Sequence, residues 1–90
     1  MPNLAAFEER VSGVMHPSLS AKEMAEHFVV AALEAEFGKA FTLSPGFAKM
    51  VSTLAEMMVT NPELRRQTLS VASVMIKKNR DNQKNRYQRA

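Results

Sequence analysis

The sequence predicts an all-α fold: a small four-helix bundle with a short first helix, whose last helix extends into a basic C-terminal tail. Three observations carry this. Four segments repeat apolar residues at intervals of three and four, the period of a helix with a buried side. A capping residue followed by Glu three positions on, a helix-start signal, occurs at Ser20/Glu23 and at Thr60/Glu63. Strand signals are nearly absent, and the nearest, Phe41-Thr42-Leu43, is too short to pair into a sheet.

Helix one is expected over residues 4–15. Leu4, Phe7, Val11 and Val14 share one stripe. His16-Pro17 ends it, because a residue before proline avoids helical geometry. Helix two starts after Ser20, with Leu19 placed to pack on Met24 across the cap. Gly38 is its natural stop, since glycine accepts left-handed geometry cheaply. Helix three is expected to start at Ser44 as cap, with Pro45 in the first turn. Phe47, Met50, Val51, Leu54, Met57 and Met58 then form one broad apolar face. Helix four is capped by Thr60 or by Asn61, the latter with Pro62 as first helical residue. Its apolar stripe reads Leu64, Thr68, Val71, Ala72 and Met75. Beyond Asn79 no apolar residue remains until Tyr87, so the expected division is a helical domain over 1–79 and a basic extension over 80–90, helical or frayed.

Ninety residues form one domain, with a small core and marginal stability. With 46% apolar and 23% charged residues the chain has globular composition. No cysteine is present, which excludes disulfides and thiolate metal sites. No apolar run reaches the roughly 18 residues that span a bilayer. The opening Met1-Pro2-Asn3-Leu4 lacks the basic and apolar regions of a secretory signal, so the expected location is cytoplasmic.

Charge is unevenly placed. Residues 77–90 hold six Lys/Arg against Asp81, a net of +5, while residues 1–76 hold six Lys/Arg against eight Glu, a net of −2. A basic end on a mildly acidic body points to a polyanion. Along helix four, Arg66, Ser70, Ser73, Lys77, Arg80 and Lys84 recur at intervals of four and three, a straight stripe of roughly 27 Å at 1.5 Å per residue. Cations and short hydroxyls in line suit phosphate contact.

Helix two is apolar on two sides. Met24, Phe28, Ala31 and Ala35 fall on one, Val29, Leu33 and Phe37 on the other; Glu23, His27 and Glu34 mark a polar stripe interrupted by Val30. Such a helix is either central in the bundle or covered by a second copy, with Val29, Leu33 and Phe37 as the dimer interface. Methionine is abundant, seven in all, and Met50, Met57 and Met58 give helix three either a pliable binding face or filler for an irregular core.

Catalytic chemistry is not expected. His16 and His27 are the only histidines. Glu23 and His27 share a helix face, but two groups do not make a site. His16 reads as a turn residue. The three glycines form no phosphate loop. No metal and no cofactor are expected.

The leading expectation is a non-catalytic binding protein that contacts nucleic acid, RNA or DNA, through Arg66, Ser70, Ser73, Lys77, Lys78, Arg80, Lys84, Arg86 and Arg89. Asn79, Asn82, Gln83, Asn85 and Gln88 are further donors, and Tyr87 can stack on an unpaired base. A helix-turn-helix variant would present Arg65, Arg66 and Gln67 to a groove, although Pro62 in the junction and the length of helix three speak against it. The alternative is a homodimeric adaptor or anti-regulator with a protein partner, built on helices two and three. Attachment to anionic membrane is disfavoured, since the tail has no apolar anchor besides Tyr87.

Overall fold

The computed structural model describes residues 4–88, with side chains as far as Asp81. Four helices, α1 (Leu4–Val14), α2 (Ala21–Phe37), α3 (Phe47–Thr60) and α4 (Pro62–Gln88), are joined by short turns, with a 3-10 turn (Lys39–Leu43) between α2 and α3. No strand occurs among the described residues. This is a small all-α bundle. No helix among the described residues is long and apolar enough to cross a membrane.

α2 lies at the centre and contacts α1, α3, α4 and the 3-10 turn. Its start is fixed as the sequence predicts. The Ser20 hydroxyl accepts from the Glu23 N–H at 3.1 Å, and the Glu23 carboxylate accepts from the Ser20 N–H at 2.9 Å. Each satisfies a backbone donor that the first turn leaves free. Leu19 packs against the core cluster that contains Met24. At the other end the Gly38 N–H donates to the Glu34 carbonyl, and Gly38 sits at φ 86°.

One side of α2 buries Met24, Phe28 and Ala31 with Val11, Met15 and Ala72. The other side buries Ala25 and Val29 toward α3, whose own buried residues are Val51 and Ala55. Ala25 and Ala55 are small and fully enclosed, which lets the two backbones come close. Phe37, at the far end of α2, stacks on Phe41 of the 3-10 turn at 4.9 Å, and Phe41 meets Phe47 of α3 edge-on at 5.9 Å. These rings close the end of the bundle, although Phe37 keeps 60% of its surface in solvent.

The Glu34 carboxylate belongs to the inside rather than to a solvated stripe. Its Oε2 is sealed from solvent without a well-aligned hydrogen bond, and the Arg10 guanidinium of α1 stands 2.7 Å away. This ion pair ties α1 to α2 across a mostly apolar seam.

Two expectations need correction. Helix three does not start at Ser44. Ser44 ends the 3-10 turn by donating its N–H to the Phe41 carbonyl at 3.1 Å, and the Phe47 N–H donates back to the Ser44 carbonyl at 3.1 Å. Pro45-Gly46 are the central residues of this second turn, Ser44 to Phe47, with Gly46 at φ 80° and ψ 1°, the geometry of a type II turn. The helix therefore begins at Phe47. Second, the buried stripe of α4 is rotated from Leu64–Thr68–Val71 toward Thr68, Leu69, Ala72, Met75 and Ile76. Leu64 and Val71 stay half-exposed. Thr68 can be enclosed because its hydroxyl donates to the Leu64 carbonyl at 2.8 Å. At the start of α4 the Asn61 cap is the one realised. Its Oδ1 accepts from the Leu64 N–H at 3.0 Å, while the Thr60 hydroxyl donates back into α3.

Hydrogen bonds from the Ser20 backbone, then from its hydroxyl, and the nearby His27 hold the Glu23 carboxyl below its ordinary value. A depressed carboxyl stabilises the folded state above the unfolded value of about 4.3, and that contribution is lost as pH falls through the lower folded value. Ser20→Ala should cost about 1 kcal/mol in thermal melts at neutral pH. Glu23→Ala should also lower the melting temperature at neutral pH, and its gap from the wild type should narrow in acid. A gap that does not change with pH would show that the Glu23 charge contributes nothing.

Candidate nucleic-acid interface

α4 is 27 residues long, about 40 Å at 1.5 Å per residue, and it outruns the bundle. The radius of gyration, 14.2 Å, exceeds the roughly 12 Å expected of a compact chain of this length. Among the described side chains the last inward contact on the helix is made by Asn79. Its amide donates to the Ser12 carbonyl, one of the final carbonyls of α1 that no helical N–H can reach. Residues 80–88 continue the helix beyond this point for about 13 Å.

Arg66, Ser70, Ser73, Lys77 and Arg80 are all exposed on one side of α4; Lys78 is exposed too, but about 100° round the helix from Lys77, on the face of Val71. They differ in what they can offer. Arg66 is paired with Glu63 at 3.3 Å, both well exposed, a contact that solvent screens to little net value. The Ser73 hydroxyl donates to the Leu69 carbonyl at 2.9 Å, so only its lone pairs face outward. Lys77, Lys78 and Arg80 have no carboxylate partner among the described residues. Three cations thus fall within four positions, against the one acid Asp81, which lies one turn on from Lys77.

No family model, curated protein or solved structure matches this chain.

Lys84 follows Arg80 in helical register, and Arg86 and Tyr87 also lie on α4, but their side chains fall outside the described residues, with those of Asn82, Gln83, Asn85 and Gln88. Arg89 lies outside them entirely. Asn79, expected as an outward donor, is turned inward to Ser12. At the start of α4 the Arg65, Arg66 and Gln67 side chains diverge. Arg65 reaches the Val59 carbonyl at 3.5 Å, Arg66 pairs with Glu63, and Gln67 borders an apolar hollow. They do not form one outward reading surface of the helix-turn-helix kind.

Of the residues expected at a dimer interface, Val29 is buried by its own chain, Leu33 is half-buried and Phe37 is exposed. Val29 and Leu33 line a shared apolar hollow with Leu54, Met57, Met58 and Leu64, whereas Phe37 stands at the end of the bundle. Sequence reasoning missed Leu64 and Val71 as surface residues, because their spacing reads as core.

The two histidines take structural positions. His16 Nδ1 accepts from the Ser18 N–H at 3.1 Å in the turn after α1, and His27 lies beside the capping Glu23. Among the described residues no three His, Asp or Glu side chains gather within metal-binding reach.

Asn79→Ala should leave the Ser12 carbonyl without its partner, costing about 1 kcal/mol, or roughly 4–8 °C in melting temperature for a domain this small. It should not change the salt dependence of nucleic-acid binding. A variant that melts like the wild type but loses affinity would return Asn79 to the binding surface.

Proposed function

We propose that this chain is a non-catalytic protein that binds nucleic acid along the outer side of α4. The observation that carries the reading is the cluster of Lys77, Lys78 and Arg80, exposed and without carboxylate partners where the helix leaves the bundle. Polyphosphate backbones reward such a cluster because each neutralised phosphate releases condensed counterions. Arg66 and Ser70 extend the same line toward the body, and Lys84, Arg86 and Arg89 extend the positive sequence outward. The Glu-rich body, net −2 over residues 1–76, disfavours binding by any other face and orients the chain on the polyanion. A protein-binding homodimer, the other reading, is favoured by a separate observation, the apolar hollow between α2, α3 and α4.

The test is a gel-shift or fluorescence titration of the full chain against duplex DNA, single-stranded DNA and RNA at several salt concentrations. With about four phosphates neutralised on duplex DNA, log K should fall with log salt at a slope near −3.6. Lys77→Gln/Lys78→Gln/Arg80→Gln should weaken binding at least tenfold at low salt and flatten the slope by roughly 0.9 for each phosphate no longer neutralised. These three side chains are exposed, so the variant should melt near the wild-type temperature. Equal binding by wild type and variant, or an affinity indifferent to salt, would remove the proposal.

A further inference from the structure

Where α4 leaves the bundle, its exposed cations form an arc rather than a single line. At about 100° per residue, Lys77 and Arg80 lie on one flank of the helix. Lys78 lies on the other, about 160° from Arg80. Asn79, whose amide bonds to the Ser12 carbonyl, stands about 180° from the middle of that arc. The body of the protein is therefore behind the helix here, and the cations face away from it. The strip between the flanks, from Lys77 round to Lys78, carries two exposed residues of other kinds. Val74 is 61% exposed, and Asp81 follows two turns later. Asp81 makes no ion pair with a described residue.

We infer that this end of α4 lies in the major groove of duplex DNA. The inference rests on the reading of α4 as a nucleic-acid surface, and it names the ligand. The first observation behind it is the two flanks. A contact with one phosphate strand needs cations on one side of a helix, and Lys78 would then meet nothing. A groove has a phosphate wall on each side, so a helix lying in it meets both, Lys77 and Arg80 on one wall and Lys78 on the other.

The second observation is shape. The backbone of α4 continues as helix to Gln88, about 13 Å past Asn79. A helix of about 10–12 Å diameter matches a groove about 12 Å wide. Because the bundle stands behind the arc, it does not block the approach. The presented part is the far end of the helix, unlike a helix-turn-helix reader, which presents its start. At the start of α4, Arg65 and Arg66 are turned to the Val59 carbonyl and to Glu63.

The third observation is the strip itself. An acid set among cations weakens a contact made with phosphates alone. Toward the groove floor, Asp81 meets base edges instead, and its carboxylate can accept from the amino group of cytosine. Val74 offers apolar surface to a thymine methyl. The two residues are about 10 Å apart along the axis, close to three base-pair steps of about 3.4 Å.

The experiment titrates the full chain, at one salt concentration, with a DNA duplex and an RNA duplex of matching sequence and length. The two offer equal numbers of phosphates, but the major groove of the RNA is too deep and narrow for side chains to read. The DNA should bind at least tenfold more tightly. Lys78→Gln and Lys77→Gln/Arg80→Gln should each flatten the salt slope on DNA, by roughly 0.9 for each phosphate lost. Sites selected from a random DNA pool should be enriched in cytosine at one position, and Asp81→Ala should weaken binding to them roughly fivefold or more. All four residues are exposed, so thermal melts of the variants should match the wild type. Equal affinity for the two duplexes overturns the inference and leaves nucleic-acid binding standing. A rise in affinity for every sequence on Asp81→Ala overturns it too, since the carboxylate then faces phosphates, as does a salt slope that Lys78→Gln leaves unchanged. Absence of salt-dependent binding to any nucleic acid overturns both readings.

Discussion

The bundle depends on the need to cover α2 on two opposite sides. A helix with apolar residues on both faces gains from burial only when both are removed from water. α1 and α4 cover the side that carries Met24, Phe28 and Ala31, and α3 covers the side with Ala25 and Val29. α1 and α3 each make their largest contact with α2, and α4 packs across α1, α2 and α3. Coverage is incomplete toward the C-terminal half of α2. There Ala32 and Leu33 face the space left between the end of α3 and the start of α4. The short turn at Asn61 keeps those two ends together but cannot fill the gap beside them.

Asn79 divides α4 into two lengths with different physics. Before it, the helix is held by packing, through Thr68, Ala72 and Ile76. After it, Arg80 and Asp81 are exposed, and the backbone continues as helix to Gln88. Nucleation has already been achieved in the packed part, and each further residue adds a backbone hydrogen bond at modest cost. The cations near the end also meet the negative pole of the helix dipole favourably. The Asn79 amide, by taking up the Ser12 carbonyl, fixes the point and direction at which the helix leaves the body.

Much of the fold was legible because its signals are local. The Ser20/Glu23 box, the Gly38 stop and the start of helix four at Thr60 or Asn61 each rest on residues within a few positions of one another. The misread boundary at Ser44 is also local. Ser-Pro looks like a cap with proline in the first turn, but Pro45-Gly46 together form a turn in which Gly46 takes φ 80°. What the sequence could not reveal is which neighbours α4 would meet. Val71 is apolar and open, Asn79 is polar and turned inward, and both follow from where α1 and α2 lie. For the candidate site, exposure of the stripe was legible from spacing. The internal bonds of Ser73 and Asn79 and the divergence of Arg65 to Gln67 were not, since they depend on side-chain direction.

α4 therefore carries two surfaces of opposite chemistry on different sides of one rigid helix. A contact at the stripe would rest on charge and weaken with salt; one at the apolar hollow would rest on apolar area and depend little on it. In a dimer formed at the apolar hollow between α2, α3 and α4, each copy would still present its own Lys77 and Arg80, whereas Lys78, seven residues on from Val71, would stand near the seam. A single polyanion touching both copies would meet twice as many cations, and the second contact would be intramolecular, with an effective concentration set by the rigid spacing of the two helices. Three unpaired cations are too few for tight binding at physiological salt. Duplication would raise affinity without a larger basic surface, and it would let protein concentration, through the dimer equilibrium, govern how firmly a nucleic acid is held.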